Sequence, residues 1–173
     1  MNKTAPYTCA VLTLSDKGAR GEREDTAGPM LQRLLTEQGF HVKAYQLLPD
    51  QQLLIEALLI KWVDEKGIDL IVTTGGTGVS PDDRTPEATR RIIEQEVPGI
   101  AEAMRLAGLA KTKQAVWSRG IAGIRKQSLI INLPGSEKGA RESIEAVLPA
   151  LAHGLDKIKG GTADCGAMKD GEG

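Results

Sequence analysis

A short β-branched run, Leu70-Ile71-Val72-Thr73-Thr74, breaks at Gly75-Gly76-Thr77-Gly78 and gives way to Thr85-Pro86-Glu87. The apolar run predicts a buried strand. Thr85 suits a helix N-cap, Pro86 the first helical position, and Glu87 the positive end of the helix dipole. The stretch 69–89 therefore predicts strand, glycine loop, acidic turn, helix. Such a loop leaves bare backbone N–H groups that can cradle an anion. In an open α/β sheet, ligands sit at the carboxyl ends of the strands. The spacing is neither a Walker A loop nor G-x-G-x-x-G. A tight turn alone would account for the glycines. The hydroxyls of Thr73, Thr74, Thr77 and Ser80 and the carboxylates of Asp82 and Asp83 add a second reading, a phosphate held together with Mg²⁺.

The rest of the chain alternates in the same way. Residues 7–14 are almost continuously apolar, as a central parallel strand must be. They end at Ser15-Asp16, followed by a polar loop to residue 25. Asp25-Thr26 predicts the cap of a helix carrying Met30, Leu31, Leu34 and Leu35, which Gly39 stops. A second strand covers 41–48, and a helix 51–66 presents Leu53, Leu54, Ala57, Leu58, Ile60 and Val63 as its apolar set. Asp50 reads first as the cap of that helix, at the carboxyl end of a strand. After the glycine loop come a helix over 99–109, a short strand over 114–118, and a positively charged turn over 120–127. A clear strand over 128–133 stops at Pro134-Gly135-Ser136. Ser136 predicts the cap of a last helix, 137–158, which Pro149 should kink or split. Residues 1–159 form one domain on this reading, and 160–173 a flexible tail. The architecture expected is a three-layer α/β/α sandwich with a mainly parallel sheet.

The chain has 22 basic and 23 acidic residues in 173, and two Trp, two Tyr and one Phe. Near-neutral charge and so few aromatic rings argue against a nucleic-acid surface. No apolar run reaches the length of a membrane helix, and no signal pattern opens the chain, so a soluble cytoplasmic protein is expected. Cys9 and Cys165 read as free thiols, and His41 and His153 form no metal cluster with them.

Right-handed crossovers bring the strand ends to one edge. There Ser15-Asp16, Pro49-Asp50, the glycine loop with Asp82 and Asp83, and Pro134-Gly135-Ser136 should meet. Loop amides and the Ser136 helix start suit phosphate. Asp50 and Asp83 suit Mg²⁺ or the orientation of a reacting group. Arg119, Arg125 and Lys126 suit neutralisation of developing charge. No Ser-His-Asp or Cys-His set is present in the pattern, which leaves phosphoryl or nucleotidyl transfer.

Thr73-Thr74-Gly75-Gly76-Thr77-Gly78, Asp83, and Thr85-Pro86-Glu87-Ala88 resemble the signature of MogA/MoaB-type molybdenum cofactor biosynthesis proteins, and are similar to the G domains of gephyrin and its plant counterpart. The likeness continues through Glu96-Val97-Pro98-Gly99, Ser118-Arg119, Ile124-Arg125 and Leu129 to Gly135, and covers roughly 7–158. Leu48-Pro49-Asp50 and Asp83-x-Thr85-Pro86 point to the MogA branch. The resemblance implies molybdopterin adenylyltransferase activity: ATP and molybdopterin as substrates, Mg²⁺ as cofactor, and adenylyl-molybdopterin and pyrophosphate as products. It maps the catalytic and Mg²⁺-binding aspartates onto Asp50 and Asp83. Substrate contacts map onto Ser15, Asp16, Gly75, Gly76, Thr77, Gly78, Ser118, Arg119, Pro134, Gly135 and Ser136. It also implies a homotrimer and a MoeA-type partner that inserts the metal. One departure stands out: where the family often has Arg before the loop aspartate, this chain has Asp82, with Arg84 after it. The alternative reading is a pterin-binding MoaB-like paralogue without catalysis.

Overall fold

The computed structural model describes residues 7–162. A six-stranded sheet runs in the order β2-β1-β3-β6-β5-β4. Its strands are β1 (Thr8–Leu14), β2 (His41–Leu48), β3 (Leu70–Thr74), β4 (Gln95–Glu96), β5 (Ala122–Arg125) and β6 (Ser128–Leu133). β2, β1, β3 and β6 pair in parallel, while β5 and β4 close the far side antiparallel.

The strands divide their side chains between two cores with a period of two. Cys9 and Val11, Leu70 and Val72, and Leu129, Ile131 and Leu133 face a core shared with α2 (Ala27–Glu37), α5 (Pro98–Leu109) and α6 (Glu137–Ile158). Ala10 and Leu12, Ile71 and Ile130 face the opposite core, built with α3 (Gln52–Ile60) and α4 (Thr85–Ile92). The sandwich is therefore three-layered, as its alternating elements predict. Leu12, Ile71, Ile130 and Ile131 have no exposed surface, and burial of each such side chain stabilises the fold by about 1.5–3 kcal/mol.

Several local expectations need correction. The polar stretch after β1 starts with a short helix, α1 (Asp16–Ala19), because the Ser15 hydroxyl accepts from Gly18 N at 3.0 Å. α3 continues as a π-helical turn over Lys61–Glu65, and its buried face is Ile55, Leu59, Trp62 and Val63. Leu53 and Leu54, expected inside, are exposed. Residues Lys113–Trp117 form a 3₁₀ turn, not a strand. The expected charged turn over 120–127 contains β5, joined to β6 through Lys126 at φ 51°. α6 runs unbroken through Pro149. The expected tail lies outside the described residues beyond 162, and Cys165 with it. Cys9 is buried in β1, which pushes its thiol pKa up to about 12.

Candidate active site at the carboxyl edge of the sheet

β1 ends at Leu14, β2 at Leu48, β3 at Thr74 and β6 at Leu133, in register on one edge. The loops leaving these ends enclose two cavities. The larger, of about 590 Å³, is lined by Ser15, Asp16, Asp50, Gly75, Gly76, Asp83, Gly135 and Ser136, with Lys17, Arg23, Glu24, Asp25 and Glu137 at its walls. The second, of about 340 Å³, is lined by Thr77, Gly78, Met104, Trp117, Ser118, Pro134, Gly135 and Ser136 among others. Gly135 and Ser136 belong to both. Every expected substrate-contact residue except Arg119 thus lines one cavity or the other.

The glycine loop is shaped by two left-handed residues, Gly75 at φ 101° and Gly76 at φ 64°. A side chain on Gly75 would run into Leu14 O, and one on Gly76 into Thr85 Oγ1 and Asp50 Oδ1. Only glycine fits both conformation and space here. Thr85 is the first residue of α4, and Arg84 takes the cap position expected for Thr85. The Thr85 hydroxyl instead donates to Gly75 O at 2.9 Å, and its N–H to Gly76 O at 3.2 Å. The Thr74 hydroxyl donates to Pro134 O at 2.7 Å, tying the glycine loop to the β6 loop. Below, Asn132 Nδ2 donates to Thr73 Oγ1 at 3.1 Å and to Thr89 Oγ1 at 2.9 Å, linking β6, β3 and α4. Ser136 caps α6 as expected, its hydroxyl accepting from Gly139 N at 3.1 Å.

Asp50 is not a helix cap. Gln51 holds that position, and the Asp50 side chain makes no capping bond. Its N–H donates to Asp16 Oδ1 at 2.9 Å, while its own Oδ1 is buried without a hydrogen-bond partner. Burial pushes its carboxyl up to about 6, and the charges of Asp16 and then Asp83 push the same way. Asp83 turns its carboxylate back over the loop, where Oδ2 accepts from Ser80 N at 2.9 Å. Asp82 is exposed and adds only a minor part of the negative field at Asp50.

An orphaned buried carboxylate oxygen, facing like charges and a bare-amide loop, fits a divalent cation. Among the described residues no three His, Cys, Asp or Glu gather into a complete metal site. Mg²⁺ binds through one or two carboxylates plus substrate phosphates and water, and does not require such a cluster.

Arg125 and Lys126 lie where β5 turns into β6, on the edge opposite the cavities. Arg125 donates to Asp64 at 2.7 and 3.0 Å, and Lys126 pairs with the same carboxylate. They do not join the site. Arg119 turns its guanidinium onto the glycine loop, donating from Nε to Gly78 O at 2.6 Å and from Nη2 to Asp83 O at 3.0 Å, and pairing through Nη1 with Glu87. Trp117 and Met104 were missed by sequence reasoning. Trp117 stands beside Ser118 in a chain with two Trp, and that proximity was the available signal.

Fold and site define an α/β protein whose ligand cavities lie where parallel strands end. Residues 10–153 match the family model of a "Probable molybdopterin binding domain". Similar proteins include a Helicobacter pylori J99 molybdopterin adenylyltransferase, 45% identical over 155 residues, 87% of this chain and 86% of that one. The crystal structure of a molybdopterin biosynthesis enzyme MoaB from Thermus thermophilus is similar at 55% identity and TM-score 0.85, covering 89% of this chain and 97% of that one. The Mog protein of Mycobacterium ulcerans is similar at 36% identity and TM-score 0.81, covering 91% and 99%. The chain belongs to this molybdopterin-binding family of cofactor biosynthesis proteins, and its likeness spans proteins of both the MoaB and Mog names.

Proposed function

We propose that this protein is a molybdopterin adenylyltransferase: an oxygen of the terminal phosphate of molybdopterin attacks the α-phosphorus of ATP, and the bond to pyrophosphate breaks. The observation that carries the reading is Asp50 Oδ1, buried and unpartnered, with Asp16 and Asp83 contributing charge beside it and Gly76 in contact range. Curated relatives named for this activity support it.

Asp50 and Asp83 would hold Mg²⁺, which when bound supplies charge neutralisation on the phosphates. The bare amide of Gly76 and the start of α6 orient the anion. The chamber lined by Trp117 and Met104 offers a flat apolar surface to a heteroaromatic ring. Gly135 and Ser136, shared by both cavities, place the two substrates against one another. We extend the proposal to a homotrimer in the cytoplasm that passes its product to a MoeA-type protein. Exposed Leu53 and Leu54 supply apolar surface for self-association, which sedimentation analysis would test.

The decisive assay supplies ATP, Mg²⁺ and molybdopterin and follows pyrophosphate. Wild type should release it. Asp83→Asn should not, while still binding the pterin. Pterin binding by wild type with no pyrophosphate would favour the non-catalytic alternative.

A further inference from the structure

Asp83 sits on an irregular segment between β3 and α4. Its local bonds are a closed pair: Ser80 N donates to Asp83 Oδ2 at 2.9 Å, and Asp83 N donates to Ser80 O at 3.0 Å. These fix the carboxylate relative to its own turn. They leave open what fixes the turn relative to the sheet.

Arg119 supplies that anchor. It follows the 3₁₀ turn, and its neighbours Ser118 and Gly120 line the apolar chamber. Its N–H donates to Thr77 O at 2.8 Å, its Nε to Gly78 O at 2.6 Å, and its Nη2 to Asp83 O at 3.0 Å. Its Nη1 pairs with Glu87 in the first turn of α4. One residue therefore grips both ends of the segment and the helix that follows it. Glu87 is itself partly enclosed, with Oε2 buried and without a partner. Desolvation opposes its charge, yet the Arg119 guanidinium holds its carboxyl below the ordinary range. A rigid planar fork meets three acceptors at once, and an ammonium has no such geometry.

We propose that Arg119 is a positioning residue, acting through the carbonyls of Gly78 and Asp83 to hold the Asp83 carboxylate over the acidic cleft. This rests on the adenylyl-transfer reading of the cleft. The competing role, direct contact with substrate phosphate, gives a different kinetic signature.

The test uses the full-length protein with Arg119→Lys and Glu87→Gln, read by kinetics and by hydrogen exchange. In Arg119→Lys, kcat should fall by about 10–100-fold at saturating substrates, as a misplacement on the order of 1 Å would cause. KM for ATP and for molybdopterin should stay within about threefold, and the Mg²⁺ concentration for half-maximal rate should rise. Glu87→Gln, which keeps both carbonyl bonds, should show the same pattern more weakly. Independently of turnover, the Ser80 amide should exchange about tenfold faster in Arg119→Lys, with Val72 in β3 unchanged. A raised KM for ATP with kcat preserved would overturn the proposal in favour of substrate contact. Unchanged Ser80 exchange would overturn it outright. If wild type itself forms no pyrophosphate, the adenylyl-transfer reading fails, and the exchange experiment still decides whether Arg119 anchors the loop.

Discussion

The backbone N–H of Asp50 donates to the Asp16 carboxylate at 2.9 Å, yet the Asp50 carboxylate receives nothing at its buried Oδ1. Asp16 thus fixes where Asp50 sits and adds negative charge to it at the same time. With these carboxylates ionised, the arrangement costs stability.

Asp50→Asn should accordingly make a more stable and inactive protein. Removing the repelled charge should add about 1 kcal/mol at pH 8, discounted for a half-buried side chain, or roughly 2–4 °C in Tm. Thermal melts beside the pyrophosphate assay check both halves. A lower Tm would contradict the strain assigned to this carboxylate.

The same group sets a pH dependence. Its carboxyl is raised from 3.8 to about 6 in the folded protein, so the folded state holds the proton more tightly than the unfolded chain. The stabilising contribution of Asp50 is full below about pH 4 and is lost as pH rises through 6. In Asp50→Asn this component should vanish, so the difference in denaturant midpoint between variant and wild type should widen from pH 4.5 to 7. Adding ATP and Mg²⁺ should narrow it again, because a bound cation favours the ionised carboxylate.

Gly76→Ala should be damaging out of proportion to its size. At φ 64° any Cβ is strained, and this one would meet Thr85 Oγ1 and Asp50 Oδ1. A loss of about 3 kcal/mol is expected from conformation and overpacking together. Urea unfolding measures it, and Gly99→Ala, where a Cβ meets nothing within 4 Å, is the control.

Trp117→Ala should weaken pterin binding with little effect on the fold. Trp117 is 59% exposed and lines the apolar chamber. Loss of stacking surface should cost about 1 kcal/mol of pterin affinity, a fivefold change in Kd, with ATP binding unaltered. Fluorescence titration with the pterin reads this directly.

The parallel core was readable because its strands are continuous apolar runs: β1, β3 and β6 lie where periodicity puts them, and with them the loops that carry Asp16, Asp50, Gly75 and Ser136. The buried face of α3 was not. Leu53, Leu54, Ile55, Leu58, Leu59 and Ile60 surround the helix with apolar residues, so no phase distinguishes Ile55 and Leu59 inside from Leu53 outside. β5 was hidden for another reason. Ala122-Gly123-Ile124-Arg125 has little strand character of its own and extends through pairing with β6, long-range information that local pattern does not hold. In the site, residue types were legible and their bonding was not. Asp50 matched a helix cap by position, and only three-dimensional packing shows its carboxylate turned into the cleft. Arg119 read as a cation for substrate phosphate, and only the fold reveals its guanidinium on the carbonyls of Gly78 and Asp83.

Gly75 and Gly135 meet backbone to backbone, so close that a Cβ on Gly135 would lie 3.2 Å from Gly75 Cα, and Thr74 ties the same two segments together. That seam has no slack to widen. With Arg119 holding the segment from Thr77 to Asp83 as well, the turn after β1 is the wall left to accommodate entry and exit of anything as large as a nucleotide.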